Sequence, residues 1–326
     1  MTTAEMQGDG AEISREGPPA PLTRHFSWIM LAVLAAFMIN NVLTVSFGFP
    51  GVSSALGDGG ALSWVQVAVY LAFIALAAFY VNSTPTMGLR WDARRISDFN
   101  AYLIRACFWA VLLVGVADAT IAFLRTEDLL TAFVSEDMAK KFGLSRFVGA
   151  YVHIPLIIVG FLIAIRSRTL GFTWLALMIV VAELLIVISR FVFSYEQALM
   201  GDLVRYWYAA LFLFASAYTL FEDGHVRVDV LRGRFSARAK AWIETLGAIL
   251  LVLPLTAIVF WFGWDMVASA VKHGERSAIF FGASMRWFIL ATLPFGVALY
   301  AAAVLSRMTR NILYLKGAIP MPEMLR

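Results

Sequence analysis

The feature that most constrains this chain is a series of apolar runs, each long enough to cross a bilayer. A helix needs about 20 apolar residues to span the ~30 Å hydrocarbon layer, where it satisfies its own backbone hydrogen bonds. Eight stretches qualify: 26–49, 61–82, 99–124, 147–165, 169–189, 203–221, 245–264 and 287–306. The third contains Arg105 and Asp118, and the sixth has a short uncharged part, 206–221. Hydrophobic residues make up 61% of the chain and charged ones 15%, with a mean hydropathy of +0.78. Soluble domains hold about 45–50% apolar and 25% charged residues, so this surplus cannot all be buried from water. The expected fold is all-α: a polytopic integral membrane protein with about eight transmembrane helices and additional interfacial amphipathic helices. Trp28, Trp64, Trp91, Trp264 and Trp287 lie at or near the expected helix ends, where indoles anchor at the headgroup level.

The flanking segments are polar. Residues 1–24 carry Gly8, Gly10, Pro18, Pro19 and Pro21 and read as a flexible cytoplasmic leader. The first apolar run opens late and at full span length, unlike a secretory signal. Residues 316–326 form a cytoplasmic tail. With both termini cytoplasmic, the basic clusters at 90–95, 166–168 and 227–240 fall inside, as the distribution of Lys and Arg in membrane proteins requires. The pI of 9.3 is therefore a matter of topology, and no nucleic-acid partner is expected. The outer segment 125–146, with Leu129, Leu130, Phe133, Met138 and Phe142, reads either as a helix in the interface or as a partly ordered loop.

Ionisable groups inside the apolar runs are few. Asp118, His153, Glu183 and Arg205 each lie near the outer end of a run, and at ~1.5 Å per residue they share a layer roughly 5–10 Å below the outer surface. They form a candidate intramembrane polar cluster, with an ion pair expected between Glu183 and Arg205. The plainer reading is that each side chain snorkels to the interface or caps a loop. Arg105 lies near an inner end and snorkels there, while Asn40 and Asn41 are read as bridges between helices.

Several chemistries lack their parts. Cys107 is the lone cysteine, so neither a disulfide nor a multi-cysteine metal site is available within one chain. His153 is the lone histidine inside a run, which argues against bis-histidine haem, and no run carries a lysine for a retinal Schiff base. No Walker loop, paired zinc-ligand motif or nucleophile elbow is present. No catalytic residue, metal site or cofactor is expected. Inverted repeats with broken helices are not evident either, which argues against transport by this chain alone.

One loop is specific rather than merely basic. The sixth run leads into Glu222-Asp223-Gly224-His225-Val226-Arg227-Val228-Asp229-Val230, then Arg232 and Arg234. If the segment is extended, His225, Arg227 and Asp229 share one side, and the three lock a turn. Residues 236–245 read as a helix suited to the interface, with Phe235, Ala239 and Trp242 on one face. Elsewhere, Arg190-Phe191-Val192-Phe193 ends the fifth run and Asp202-Leu203-Val204-Arg205-Tyr206 opens the sixth. Gly274-Glu275-Arg276-Ser277 precedes the last run, which contains Pro294-Phe295-Gly296. In order and spacing these pieces resemble the small membrane subunit of tripartite ATP-independent periplasmic (TRAP) transporters, over about 170–315. Asp202 stands where glutamate is more usual.

The resemblance implies a three-part importer. A soluble periplasmic protein captures an organic anion such as a carboxylate, a large permease moves it with sodium, and the small subunit braces the permease in the bacterial inner membrane. The expected partners are the permease, the periplasmic binding protein and lipid, with 196–202 and 272–285 as candidate faces for the binding protein. The motif residues Asp223, Gly224, His225, Arg227, Asp229, Asp202, Arg205, Gly274, Glu275 and Ser277 are candidate structural or interface positions. A four-helix family core at 169–315 follows an extension of about four helices at 25–168, for which the resemblance implies no role. The alternative from another class is a self-contained channel or redox-anchor subunit.

Overall fold

A computed structural model describes residues 20–57, 60–167, 172–195, 200–221, 233–273 and 286–317. These are helices and short connections, with no strand among them. Helix α1 covers Pro21–Phe47, α2 Gly60–Ser83 and α3 Leu89–Thr126. Short helices α4 (Leu130–Phe133), α5 (Glu136–Phe142) and α6 (Ser145–Val148) lead into α7 (Ile154–Arg166). Then come α8 (Phe172–Val192), α9 (Met200–Phe221), α10 (Ala237–Gly247), α11 (Leu253–His273) and α12 (Arg286–Leu315).

Among the described residues seven helical stretches are long and apolar enough to cross a membrane, and another expected run appears as the shorter apolar helix Leu203–Ala217 within α9. The chain is thus an all-α, multi-pass membrane protein. Helix α1 begins at Pro21, whose fixed φ suits the first turn, so Arg24 belongs to the helix rather than to a leader. It ends at Gly48, which takes φ 71° and returns its N–H to the Leu43 carbonyl. The expected interfacial stretch 125–146 is divided among α4, α5 and the start of α6, with Ser135 capping α5 by accepting from the Met138 amide.

Two helical runs widen into a π turn, and both do so just ahead of a proline. Gly149–His153 precedes Pro155, and Ala248–Val252 precedes Pro254. Proline has no N–H to give the carbonyl four residues back, and its ring crowds that carbonyl; a widened turn relieves both problems. At the first site the Ile154 amide reaches back five residues to the Gly149 carbonyl. Through the second, α10 runs on into α11, so the helix expected at 236–245 is the start of a longer helical stretch, capped by Ser236.

The chain divides into two compact units. The first comprises Met1–Ser97, Arg227–Ala248 and Leu305–Arg326; the second comprises Asp98–Val226 and Ile249–Val304. Helices α3 and α12 contribute to both.

The second unit holds the main apolar core. Ile104, Phe108 and Val111 of α3 pack with Leu175, Ile179 and Ala182 of α8, Trp207, Ala210 and Phe214 of α9, and Leu299 and Ala303 of α12. Trp207 is 1% exposed, and its Nε1 donates to the Val111 carbonyl at 3.4 Å. Two glycines set the helix spacing here. A Cβ on Gly160 of α7 would lie 2.7 Å from the Ala110 nitrogen of α3, and one on Gly296 of α12 would lie 2.7 Å from Leu213 Cβ of α9. Small residues at such contacts let helix backbones approach closely where lipid gives no hydrophobic drive to associate.

The first unit is held by polar ties. Arg24 Nε donates to Asp92 Oδ2 at 2.5 Å, with both side chains almost fully buried. The same guanidinium donates to the Thr84 carbonyl at 2.5 Å and to its Oγ1 at 2.8 Å. Further along the α1–α2 hairpin, Asn40 Nδ2 donates to the Gln66 carbonyl at 3.0 Å. Gln66 Nε2 returns to the Asn40 carbonyl at 3.2 Å and to Thr44 Oγ1 at 2.8 Å. Glu244 of α10 accepts from Arg307 Nε at 3.2 Å and Asn311 Nδ2 at 3.0 Å, both on α12.

Candidate functional site

A charged group within a bilayer costs about 3 kcal/mol on insertion scales, so ionisable residues on the spanning helices are where function is sought first. The structure brings two of the four expected cluster residues together. His153 closes the π turn ahead of α7 and is completely buried, and its Nε2 lies 2.7 Å from Asp118 Oδ1 on α3. The Asp118 side chain is 13% exposed. A charge-assisted hydrogen bond of this kind compensates a carboxylate that apolar surroundings would otherwise leave unsolvated.

Glu183 makes no hydrogen bond or ion pair among the described residues, so the expected pairing with Arg205 is not formed. Helix α8 buries Leu175, Ile179 and Ala182 along one stripe and leaves Val180, Glu183, Leu184 and Val187 exposed. The stretch of this helix long and apolar enough to span is Thr173–Val192, and Glu183 lies at its middle, ~14 Å from either end at 1.5 Å per residue. Helix α8 continues past the expected end of the apolar run at Ser189 to Val192, with Arg190 in its last turn. Arg205, also exposed, lies in the second turn of α9, close to the end of its helix.

The bridging role expected of Asn40 holds, through Gln66. Asn41 instead donates to the Phe37 carbonyl of its own helix at 2.8 Å. Sequence reasoning missed the Arg24–Asp92 pair, because both residues lie outside the apolar runs and 68 positions apart. It also missed Glu127, which follows α3 and whose carboxylate accepts from the Tyr195 hydroxyl. That bond holds the Tyr195 phenol above its ordinary pKa, since ionisation would set two negative charges side by side. Among the described residues no group of His, Cys, Asp and Glu could hold a metal ion.

Residues 176–313 match the family model for tripartite ATP-independent periplasmic transporters, DctQ component. That segment belongs to the DctQ family. Neither a curated protein nor a solved structure matches the chain. The DctQ segment opens within α8 and closes near the end of α12, so it takes in the α8–α9–α12 part of the apolar core. Helix α3, which precedes it in the chain, lies in the same core.

Within the DctQ segment the motif residues fall unevenly. Tyr206 is 6% exposed and belongs to the core, and Arg205 beside it faces outward. Asp202 lies in the first turn of α9. In Pro294-Phe295-Gly296, the glycine gives the close approach to Leu213, and Phe295 meets the Trp264 ring edge-on with centroids 5.9 Å apart. Asp223, Gly224, His225, Arg227, Asp229, Gly274, Glu275 and Ser277 lie outside the described residues. With seven candidate spans among the described residues, the protein is a multi-pass membrane protein that carries a segment similar to a transporter component.

Proposed function

We propose that this chain is the non-catalytic small membrane subunit of a TRAP transporter, bracing a large multi-span permease and helping a periplasmic binding protein to dock during sodium-coupled uptake of an organic anion such as a carboxylate. The DctQ match over 176–313 carries this reading. The interleaving of α3 with the DctQ helices supports it: a core of interlocked helices with outward apolar faces is suited to a rigid partner surface rather than to a moving transport element. The chain resides in the bacterial inner membrane with both termini cytoplasmic. The motif residues Asp223 to Asp229 serve the inner connection after α9, the segments 196–202 and 272–285 face the binding protein, and the N-terminal extension at 25–168 widens the contact with permease or lipid.

Affinity purification of the tagged, natively expressed chain in mild detergent tests the reading. A stoichiometric, much larger multi-span protein is expected to accompany it. Purification of the chain alone, or with a haem Soret band, contradicts the reading.

A further inference from the structure

Resting on the proposed function, we infer that the face of α8 centred on Glu183 is a seat for the large subunit, and that the occupant is a transmembrane helix carrying a lysine or arginine that pairs with this carboxylate. Four observations converge. Glu183 sits at the middle of the spanning part Thr173–Val192, too deep for so short a side chain to snorkel to water from either end. It is exposed, and none of the hydrogen bonds and ion pairs among the described residues engages it. One turn away on either side along the same ridge, Val180 and Val187 are exposed and apolar, 63% and 48%. The buried stripe of the helix, Leu175, Ile179 and Ala182, already faces the core of this chain, so the Glu183 ridge is free to meet another one.

These features specify the partner's chemistry. An ionised carboxylate in hydrocarbon is satisfied by a cation or by several hydrogen-bond donors. The valines above and below leave room for an apolar helix that brings one basic group at mid-depth, not for a polar loop or a water-filled path. Arg190, on the same ridge two turns along, needs no such partner because it lies at the end of the span, within reach of the headgroups. Glu183 thus acts as a register mark: it fixes the depth at which the two subunits align, as a buried polar group fixes register in helical assemblies.

The test uses the co-expressed complex, purified through a tag on this chain. Glu183→Gln keeps the shape and removes the charge, so the chain should accumulate normally while the recovered large subunit falls about tenfold, a difference of ~1.4 kcal/mol. Glu183→Lys should reduce recovery further. Recovery should return when one lysine or arginine within the permease spans is changed to glutamate in the Glu183→Lys background. Wild-type recovery with both single variants overturns the proposal. So does a Glu183→Gln loss that Arg205→Gln reproduces and the double variant does not deepen, because Glu183 would then pair within its own chain. If the wild-type chain recovers no large multi-span protein, the proposed function fails first. If wild type recovers it and the variants do so equally, the seat alone is wrong.

Discussion

The two compact units are held together by different means. In the unit containing the α1–α2 hairpin, helices are tied by Arg24 to Asp92 and Thr84, by the reciprocal bonds of Asn40 and Gln66, and by Glu244 to Arg307 and Asn311. In the unit built on α8 and α9, apolar side chains and closely approaching glycines dominate, with a partly buried hydrogen bond between Asp118 and His153. Lipid tails are as apolar as leucine, so burial alone does not drive helices together in a membrane. A hairpin of two uniformly apolar helices therefore needs polar ties to fix its pairing. A bundle with small residues at its crossings gains contact enough from packing.

The largest expected effect breaks the polar side of this contrast. Asp92→Ala leaves the buried guanidinium of Arg24 uncompensated and should cost about 3–5 kcal/mol, read as a lowered unfolding midpoint in detergent. Replacing both partners, Arg24→Met with Asp92→Leu, should cost much less. If single and double variants unfold alike, the pair is not a tie.

The packing side is broken by Gly160→Leu or Gly296→Leu, each of which drives a side chain into the facing backbone or Cβ. A loss of about 1–3 kcal/mol is expected by the same measurement, and Gly160→Ala should do part of the damage. If both leucine variants are as stable as wild type, the close approaches do not hold the core.

Gln66→Leu should be milder, near the ~0.6 kcal/mol typical of hydrogen bonds between helices in membranes, because the Asn40 and Thr44 groups can turn to their own helices. A loss as large as that from Asp92→Ala would merge the two kinds of tie.

The smallest effect is a titration. With its phenol pKa raised above 10.0 by Glu127, Tyr195 keeps the bond below that ordinary value and loses it as pH rises through the elevated one. The absorbance difference between wild type and Tyr195→Phe should show a midpoint above 10, moving down in Glu127→Gln. An unchanged midpoint would detach Tyr195 from Glu127.

Much of the fold is legible in the sequence because span length and hydropathy are local properties. The eight runs and the helix opening near Ser236 follow from neighbouring residues. The π turns ahead of Pro155 and Pro254 have no counterpart in the sequence reading, although the missing proline amide is their physical cause. The membership of α3 in the core around Trp207 was not legible, because an apolar helix in lipid carries no polar face to say which neighbour it meets. Arg24 with Asp92 was hidden for a different reason: pairing across 68 residues leaves no trace in spacing. Of the candidate site, the contact of Asp118 with His153 was legible only as a shared layer, since hydropathy does not say which helices adjoin. The charged motif that carried the family resemblance lies beyond the described residues, and the DctQ match rests on the segment as a whole.

The central claim is that this chain is an obligatory brace within a three-part importer and moves nothing itself. Sodium-driven uptake of the binding protein's anion into proteoliposomes tests it most directly, with the large subunit reconstituted with and without this chain. The account predicts uptake when permease, binding protein and this chain are all present, and none when this chain is omitted or is the lone membrane protein. Equal uptake without it, or uptake by this chain in the absence of the permease, would contradict the account.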